Sequence, residues 1–116
     1  MNGLPEVIAQ RSDDTRREID IFVATDNPWF NGHFPKQPIL PGVVQIGWAV
    51  HFANTTCGLG PAIQNMEQIK FRRPIMPGAQ LTLRLTPNED RSKVRYEFRD
   101  AEHSYSSGVL NFGTAA

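Results

Sequence analysis

The sequence predicts an α+β domain: one curved antiparallel sheet wrapped around a single long central helix. Three observations lead there. One apolar stretch of helical length, Gly42 to Thr56, stands in the middle of the chain. Short segments on both sides alternate apolar and polar residues with the period of a half-buried strand. Their order is two strands, the helix, then four strands, and an antiparallel sheet with one face on a helix accounts for the alternation.

Glu6 to Arg11 reads as a short strand, and Ser12-Asp13-Asp14 as a turn. Ile19, Ile21 and Val23 then alternate with Glu18, Asp20 and Phe22, giving a second strand that closes a hairpin with the first. Asn27 to Leu40 is a loop stiffened by Pro35 and Pro38. Pro41 suits the first helical turn, where a missing N–H costs nothing. From Gly42 the apolar residues Val43, Val44, Ile46, Trp48, Ala49, Val50, Phe52 and Ala53 cover nearly every face, which predicts a buried helix. Gly58, Gly60 and Pro61 end it. Ile63 to Arg73 is the third strand, with Met76-Pro77-Gly78 turning after it. Gln80 to Thr86 puts Leu81, Leu83 and Leu85 on one face, and Ser92 to Arg99 puts Val94, Tyr96 and Phe98 inward. His103 to Phe112 is the last strand.

With 116 residues, one domain over 1–116 is expected. Its core is small, and oligomerisation would add to it. The formal net charge is zero, so nothing points to nucleic acid. The lone Cys57 excludes an internal disulfide and suits a reducing compartment. The N-terminal residues lack the basic-then-apolar order of a signal peptide. Ile39 to Ala53 is too short and too interrupted, by Pro41, Gln45 and His51, to span a bilayer. The cytoplasm is the expected location, with no membrane partner.

The most specific stretch is Phe30-Asn31-Gly32-His33-Phe34-Pro35-Lys36-Gln37-Pro38-Ile39-Leu40-Pro41-Gly42. It sets a histidine in a Gly- and Pro-rich loop just before the buried helix. Histidine titrates near neutrality and is the natural residue for proton transfer; a loop histidine that only caps or packs is the plain alternative. The surrounding pattern resembles the signature of the hotdog-fold 3-hydroxyacyl-[acyl-carrier-protein] dehydratases. A second block, Lys70-Phe71-Arg72-Arg73-Pro74-Ile75-Met76-Pro77-Gly78-Ala79-Gln80-Leu81, is similar to that family's third-strand and turn motif. Pro38-Ile39-Leu40-Pro41-Gly42-Val43-Val44-Gln45, followed by Trp48-Ala49, looks most like the subgroup tied to aryl-polyene-type lipid synthesis.

The resemblance implies a hotdog fold, a homodimer or higher homo-oligomer with one continuous sheet, and sites at the subunit interface. It implies a (3R)-hydroxyacyl thioester on acyl carrier protein, or an acyl-CoA thioester, as partner. The product is a trans-2-enoyl thioester, and no cofactor is needed beyond the carrier's phosphopantetheine. His33 is then the base and the Gly42 N–H the donor that polarises the thioester carbonyl, at a helix N-terminus that favours negative charge. The family places a carboxylate fourteen residues after the histidine, contributed across the dimer; here that position is Gly47.

Gly47 opens two readings: close packing of a neighbour against the helix backbone, or a lost acid. His51, one turn on, is a possible proton donor or a histidine packed between helix and sheet. Glu67 is a replacement acid, or a strand residue that faces solvent or pairs with an arginine. His33 alone could serve as base and acid in a syn elimination. Phe34, Val43, Trp48 and Phe71 are candidates for the substrate tunnel, with core packing as the alternative for the aromatics. Arg72 and Arg73, adjacent and so on opposite faces of a strand, are candidates for binding the carrier or its phosphate, or ordinary solvated charges. His103 reads as a surface strand residue. Three scattered histidines without a Cys partner predict no metal site. Two other functions use the same fold. One is a non-catalytic acyl-thioester-binding subunit, motivated by Gly47. The other is a thioesterase, which wants a carboxylate that Phe30 to Thr56 does not contain.

Overall fold

The computed structural model describes residues 3–30, 38–57 and 63–113. Its elements are β1 (Glu6–Ser12), β2 (Arg17–Phe22), a 3₁₀ turn (Pro28–Phe30), α1 (Gly42–Thr56), β3 (Asn65–Phe71), β4 (Gln80–Pro87), β5 (Lys93–Arg99) and β6 (Ser104–Asn111). All six strands form one antiparallel sheet in the order β1-β2-β4-β5-β6-β3. One side of the sheet holds α1. This is the hotdog arrangement, with β3 and β1 as its edges.

Register explains the core. Ile19 faces Leu83, Leu83 faces Phe98, Leu85 faces Tyr96 and Val94 faces Leu110, so the inward rows of β2, β4, β5 and β6 line up side by side. All of these residues are buried. From α1 they meet Val44, Trp48, Ala49, Phe52 and Ala53, a stripe at helical spacing. Burial of each large apolar side chain in such a layer contributes roughly 1.5–3 kcal/mol.

The helix is not covered all round, as its composition suggests it should be. Val43 is 78% exposed, Gly47 is exposed, and Ile46 and Val50 are half-buried. A single sheet reaches one side of a helix, and this face lies away from it. Pro41 is the residue before the helix rather than in its first turn, with φ −59° and ψ 146°. The expected stop at Gly58, Gly60 and Pro61 lies outside the described residues. Within them, Cys57 closes the helix by donating its N–H to the Ala53 carbonyl.

α1 has no charged residue in its first or last turn. Its C-terminal carbonyls are met by arginines from elsewhere. Arg17 Nε donates to Thr56 O at 3.2 Å, and Arg91 Nη1 donates to Cys57 O. These contacts satisfy the end of the helix and place positive charge at the negative pole of its dipole.

Strand ends differ from the sequence reading by one or two residues, each for a local reason. Ser12 pairs with Arg17, and the turn begins at Asp13, whose Oδ1 accepts from the Thr15 N–H, the Thr15 hydroxyl and the Arg16 N–H. Ser92 and His103 belong to turns held by Asp90 and Asp100. β3 stops at Phe71 because the N–H groups of both Arg72 and Arg73 turn to the Tyr105 carbonyl, at 2.9 and 3.1 Å. β3 also carries a bulge. Its register with β6 shifts between Glu67 and Lys70, and Gln68 takes φ 55°. The extra residue changes the alternation, so Met66 (opposite Leu110), Ile69 and Phe71 (opposite Ser106) share the inward side.

The outer face of β1, β2 and β4 is tied by charge. Arg11 holds Asp20 through two bonds of 2.7 and 2.9 Å, and the Thr82 hydroxyl donates to the same carboxylate at 2.8 Å. These bonds bring Asp20 down to about 2. Asp100 also falls to about 2, chiefly through the Tyr105 hydroxyl and then the backbone N–H groups of Glu102 and His103. Both folded values lie below the unfolded carboxylate value near 3.9. Their stabilisation is therefore complete above about pH 4 and is lost as pH falls through about 2. An acid titration followed by circular dichroism should show stability declining over that window. Asp20→Asn and Asp100→Asn should each lower neutral-pH stability and flatten the decline. Parallel acid limbs in wild type and both variants would contradict these assignments.

Candidate active site

The N-terminus of α1 is built from Leu40, Pro41 and Gly42. The Leu40 N–H donates to Ile75 O at 2.8 Å, fixing the loop end to the segment between β3 and β4. The Pro41 carbonyl accepts from the N–H groups of Val44 and Gln45, at 3.1 and 3.2 Å. The N–H groups of Gly42 and Val43 have no backbone acceptor among the described residues. Free amides at the positive pole of a helix are donors for a carbonyl oxygen or an oxyanion.

Gly42 borders a cleft of about 370 Å³ whose walls include Leu40, Gln45, Phe71, Arg72 and Arg73. Four of the sequence candidates thus come together: Gly42, Phe71, Arg72 and Arg73. The Phe71 ring lies against Gly42; a Cβ there would stand 2.7 Å from Phe71 Cζ. A side chain at position 42 would displace this ring from its present place. Arg72 and Arg73 lie beyond the last residue of β3, so the opposite-face rule for strand neighbours does not apply to them. Arg72 Nη1 donates to Ser107 Oγ at 2.9 Å.

His33 and Phe34 lie outside the described residues. Val43 does not line this cleft but stands on the exposed helix face. Trp48 is a core residue, 3% exposed, with its indole N–H donating to Gly3 O at 3.0 Å. His51 is half-buried, with its ring edge-on to Phe52 at 5.1 Å between centroids. Glu67 is engaged on the sheet by Lys93, not by an arginine, at 3.0 Å. His103 sits in the turn before β6, with Nδ1 3.6 Å from Asp100. Gly47 does not receive a packed neighbour from the described residues: a Cβ would meet nothing of theirs within 4 Å. No group of three or more potential metal ligands occurs among the described residues.

The sequence marks Gln45 as a break in an apolar run and as the last residue of the Pro38–Gln45 motif, without a role of its own. It is buried, and both ends of its side chain are used. Nε2 donates to Leu40 O at 3.1 Å and Oε1 accepts from the Ser106 hydroxyl at 2.7 Å. An amide inside an apolar helix was itself the signal, because a buried polar group needs partners.

The ApeI-like family model, described as ApeI dehydratase, matches residues 9–109. Among solved structures, a chain of the dehydratase heterocomplex ApeI:P from Xenorhabdus doucetiae is similar with a TM-score of 0.84 and 31% identity, covering 92% of this chain and 96% of that one. An uncharacterized protein from Erwinia carotovora subsp. atroseptica gives a TM-score of 0.78 and 34% identity, covering 93% and 94%. The 3-hydroxyacyl-[acyl-carrier-protein] dehydratase FabZ of Sinorhizobium fredii is 32% identical over 90 residues, 71% of this chain and 58% of that protein. The chain spans about half the length of the curated relatives it matches. Among the described residues, no helix is long and apolar enough to cross a membrane.

The open space around Gly47 makes a prediction. Gly47→Ala should raise stability by up to about 1 kcal/mol, the usual gain of alanine over glycine inside a helix. Thermal unfolding measures it. A fall in stability instead would mean that a second subunit packs closely against this position.

Proposed function

Because the chain belongs to the ApeI-like dehydratase family, we propose that it dehydrates (3R)-hydroxyacyl thioesters carried on acyl carrier protein. The product is the trans-2-enoyl thioester, in fatty-acid-like or polyene lipid synthesis. The observation that carries this reading is the cleft where the Gly42 amide meets Phe71, Arg72 and Arg73, directly after the loop bearing His33.

In this reading the thioester carbonyl accepts from the Gly42 N–H, which stabilises the negative charge that develops on oxygen. His33 takes a proton from the carbon next to that carbonyl. The C–O bond at the third carbon then breaks, and the hydroxyl leaves with a proton as water. Arg72 and Arg73 suit the phosphate of a pantetheine arm entering the cleft, since guanidinium groups pair with phosphate oxygens. The reaction needs no redox partner and no cofactor beyond that arm. A second subunit is part of the reading. β3 is an edge strand, and Val43 and Gly47 on α1 are exposed among the described residues, with Ile46 and Val50 half-buried beside them.

A second reading is favoured by Gly47. The chain would supply the thioester cleft while a different hotdog subunit supplies the acid. The structural relative from Xenorhabdus doucetiae comes from a heterocomplex. Open space at Gly47 leaves room for a group reaching in from another chain.

Enoyl product from a (3R)-3-hydroxyacyl carrier thioester tests both. His33→Ala should lower the rate roughly a hundredfold to ten-thousandfold, the usual share of a general base. Equal rates in wild type and His33→Ala would sink the role given to His33. Turnover by the chain alone removes the second reading; turnover only on adding a subunit that bears the helix acid selects it. Release of free thiol without enoyl product would point to a thioesterase instead.

A further inference from the structure

The geometry points to Gln45 as a positioning residue that aims the Gly42 amide at the substrate carbonyl; this rests on the dehydratase reading of the cleft. Gln45 is 3% exposed and borders the cleft beside Gly42. Its amide joins two elements that touch nowhere else in its hydrogen-bond set: the Leu40 carbonyl at the loop end and the Ser106 hydroxyl on β6. The orientation is unambiguous, because a carbonyl oxygen can only accept, so Nε2 must face Leu40.

The mechanical link from Leu40 to Gly42 is short and stiff. The Leu40–Pro41 peptide is planar, the Pro41 ring fixes φ, and the Pro41–Gly42 peptide is planar again. Only one rotation, the Pro41 ψ, separates the clamped Leu40 carbonyl from the Gly42 N–H. That rotation is set by the Val44 and Gln45 amides on the Pro41 carbonyl. Gln45 therefore acts at both ends of the link, through its side chain on Leu40 and its backbone on Pro41. The Leu40 N–H on Ile75 O completes the frame. Without the side-chain clamp the buried Leu40 carbonyl loses its partner and the loop end is free to tilt. A donor that must meet an oxyanion at hydrogen-bond distance tolerates little tilt.

The claim differs from a purely structural role in what it moves. Gln45→Leu keeps the volume and removes both bonds. Gln45→Met keeps the side-chain length, offers no donor to Leu40 and leaves Ser106 at most a weak sulfur acceptor. Both should lower kcat about tenfold to a hundredfold, in the assembly that turns over substrate, with KM within about threefold. Ser106→Ala should lower kcat about threefold. The Gln45→Leu/Ser106→Ala double variant should be no worse than Gln45→Leu, since the two residues act through one clamp. A direct readout is the carbonyl stretch of a bound, carbon-13-labelled acyl-pantetheine thioester lacking the 3-hydroxyl. Wild type should lower that frequency, and Gln45→Leu should lose much of the shift.

An unchanged kcat and stretch in Gln45→Leu, with wild type active, would overturn the inference and leave the dehydratase reading intact. A rise in KM alone would overturn it too, by making Gln45 a binding residue. No turnover and no carbonyl shift in wild type would sink the reading of the cleft and this inference with it. If neither Gln45 variant folds, Ser106→Ala carries the test, and an unchanged kcat there overturns the proposal.

Discussion

A helix without a charged residue in its end turns, and with most of its surface apolar, cannot hold its own place. α1 is such a helix, and everything else in the chain is arranged around fixing it. The curved sheet covers one side with rows from β2, β4, β5 and β6. Its C-terminal end is held by Arg17 from β2 and Arg91 from the turn before β5. Its N-terminal end is held by Leu40 on Ile75 and by Gln45 on Leu40 and Ser106. Each anchor joins the helix to a different part of the chain. The Gly42 and Val43 amides of the first turn therefore inherit the rigidity of the whole fold, which a loop alone would not give them.

The bulge in β3 shapes the other wall of the cleft. A strict alternation would put Met66 and Phe71 on opposite sides of the strand. One extra residue at Gln68 brings them to the same side and sets Phe71 over Gly42. Directly after Phe71 the chain leaves the strand, and two arginines follow at the rim. The Phe71 ring stands against Gly42. Arg72 and Arg73 are exposed, and the Arg72 guanidinium is held by the Ser107 hydroxyl. One wall of the cleft and its charged rim thus come from Phe71, Arg72, Arg73 and Pro74, where the ladder breaks.

Much of this was legible in the chain. The helix is marked by Pro41 and an apolar run of helical length, and the succession of strands along the chain and the inward leucines of β4 follow from alternation, because burial on one side of a sheet leaves a period of two. Strand ends were less legible. They depend on which aspartate captures which amide, as Asp13, Asp90 and Asp100 do. The bulge left no mark, since Gln68 is an ordinary residue at an unusual φ. Trp48 and Val43 carry no label saying which apolar residue faces the core; the sheet decides it, and it took Trp48 and left Val43. Gln45 was legible in principle. Its role was hidden because its partners, Leu40 and Ser106, are fixed only when loop, helix and β6 meet.

The position where an acid is expected is occupied by glycine, and the rest of the described chain does not offer a substitute. A general acid needs a carboxyl whose pKa is raised, which burial without partners provides. Here the pressure on several carboxylates is in the opposite direction. Asp13, Asp20, Asp90 and Asp100 are all held below their ordinary values by hydrogen bonds in turns and on the outer face. Glu67 is engaged by Lys93, and Glu18 by Arg84. None of these groups borders the Gly42 cleft. For the proposed reaction the proton that departs with the hydroxyl has, besides His51, two sources. One is the imidazolium that His33 becomes after taking the carbon-bound proton, which requires removal and return on one face of the substrate. The other is a group entering from a second chain through the space beside Gly47. The two differ in stereochemistry as well as in stoichiometry: return by a single histidine is a syn elimination completed within one subunit's equipment, whereas a second acid frees the reaction from that restriction and makes the site a shared one.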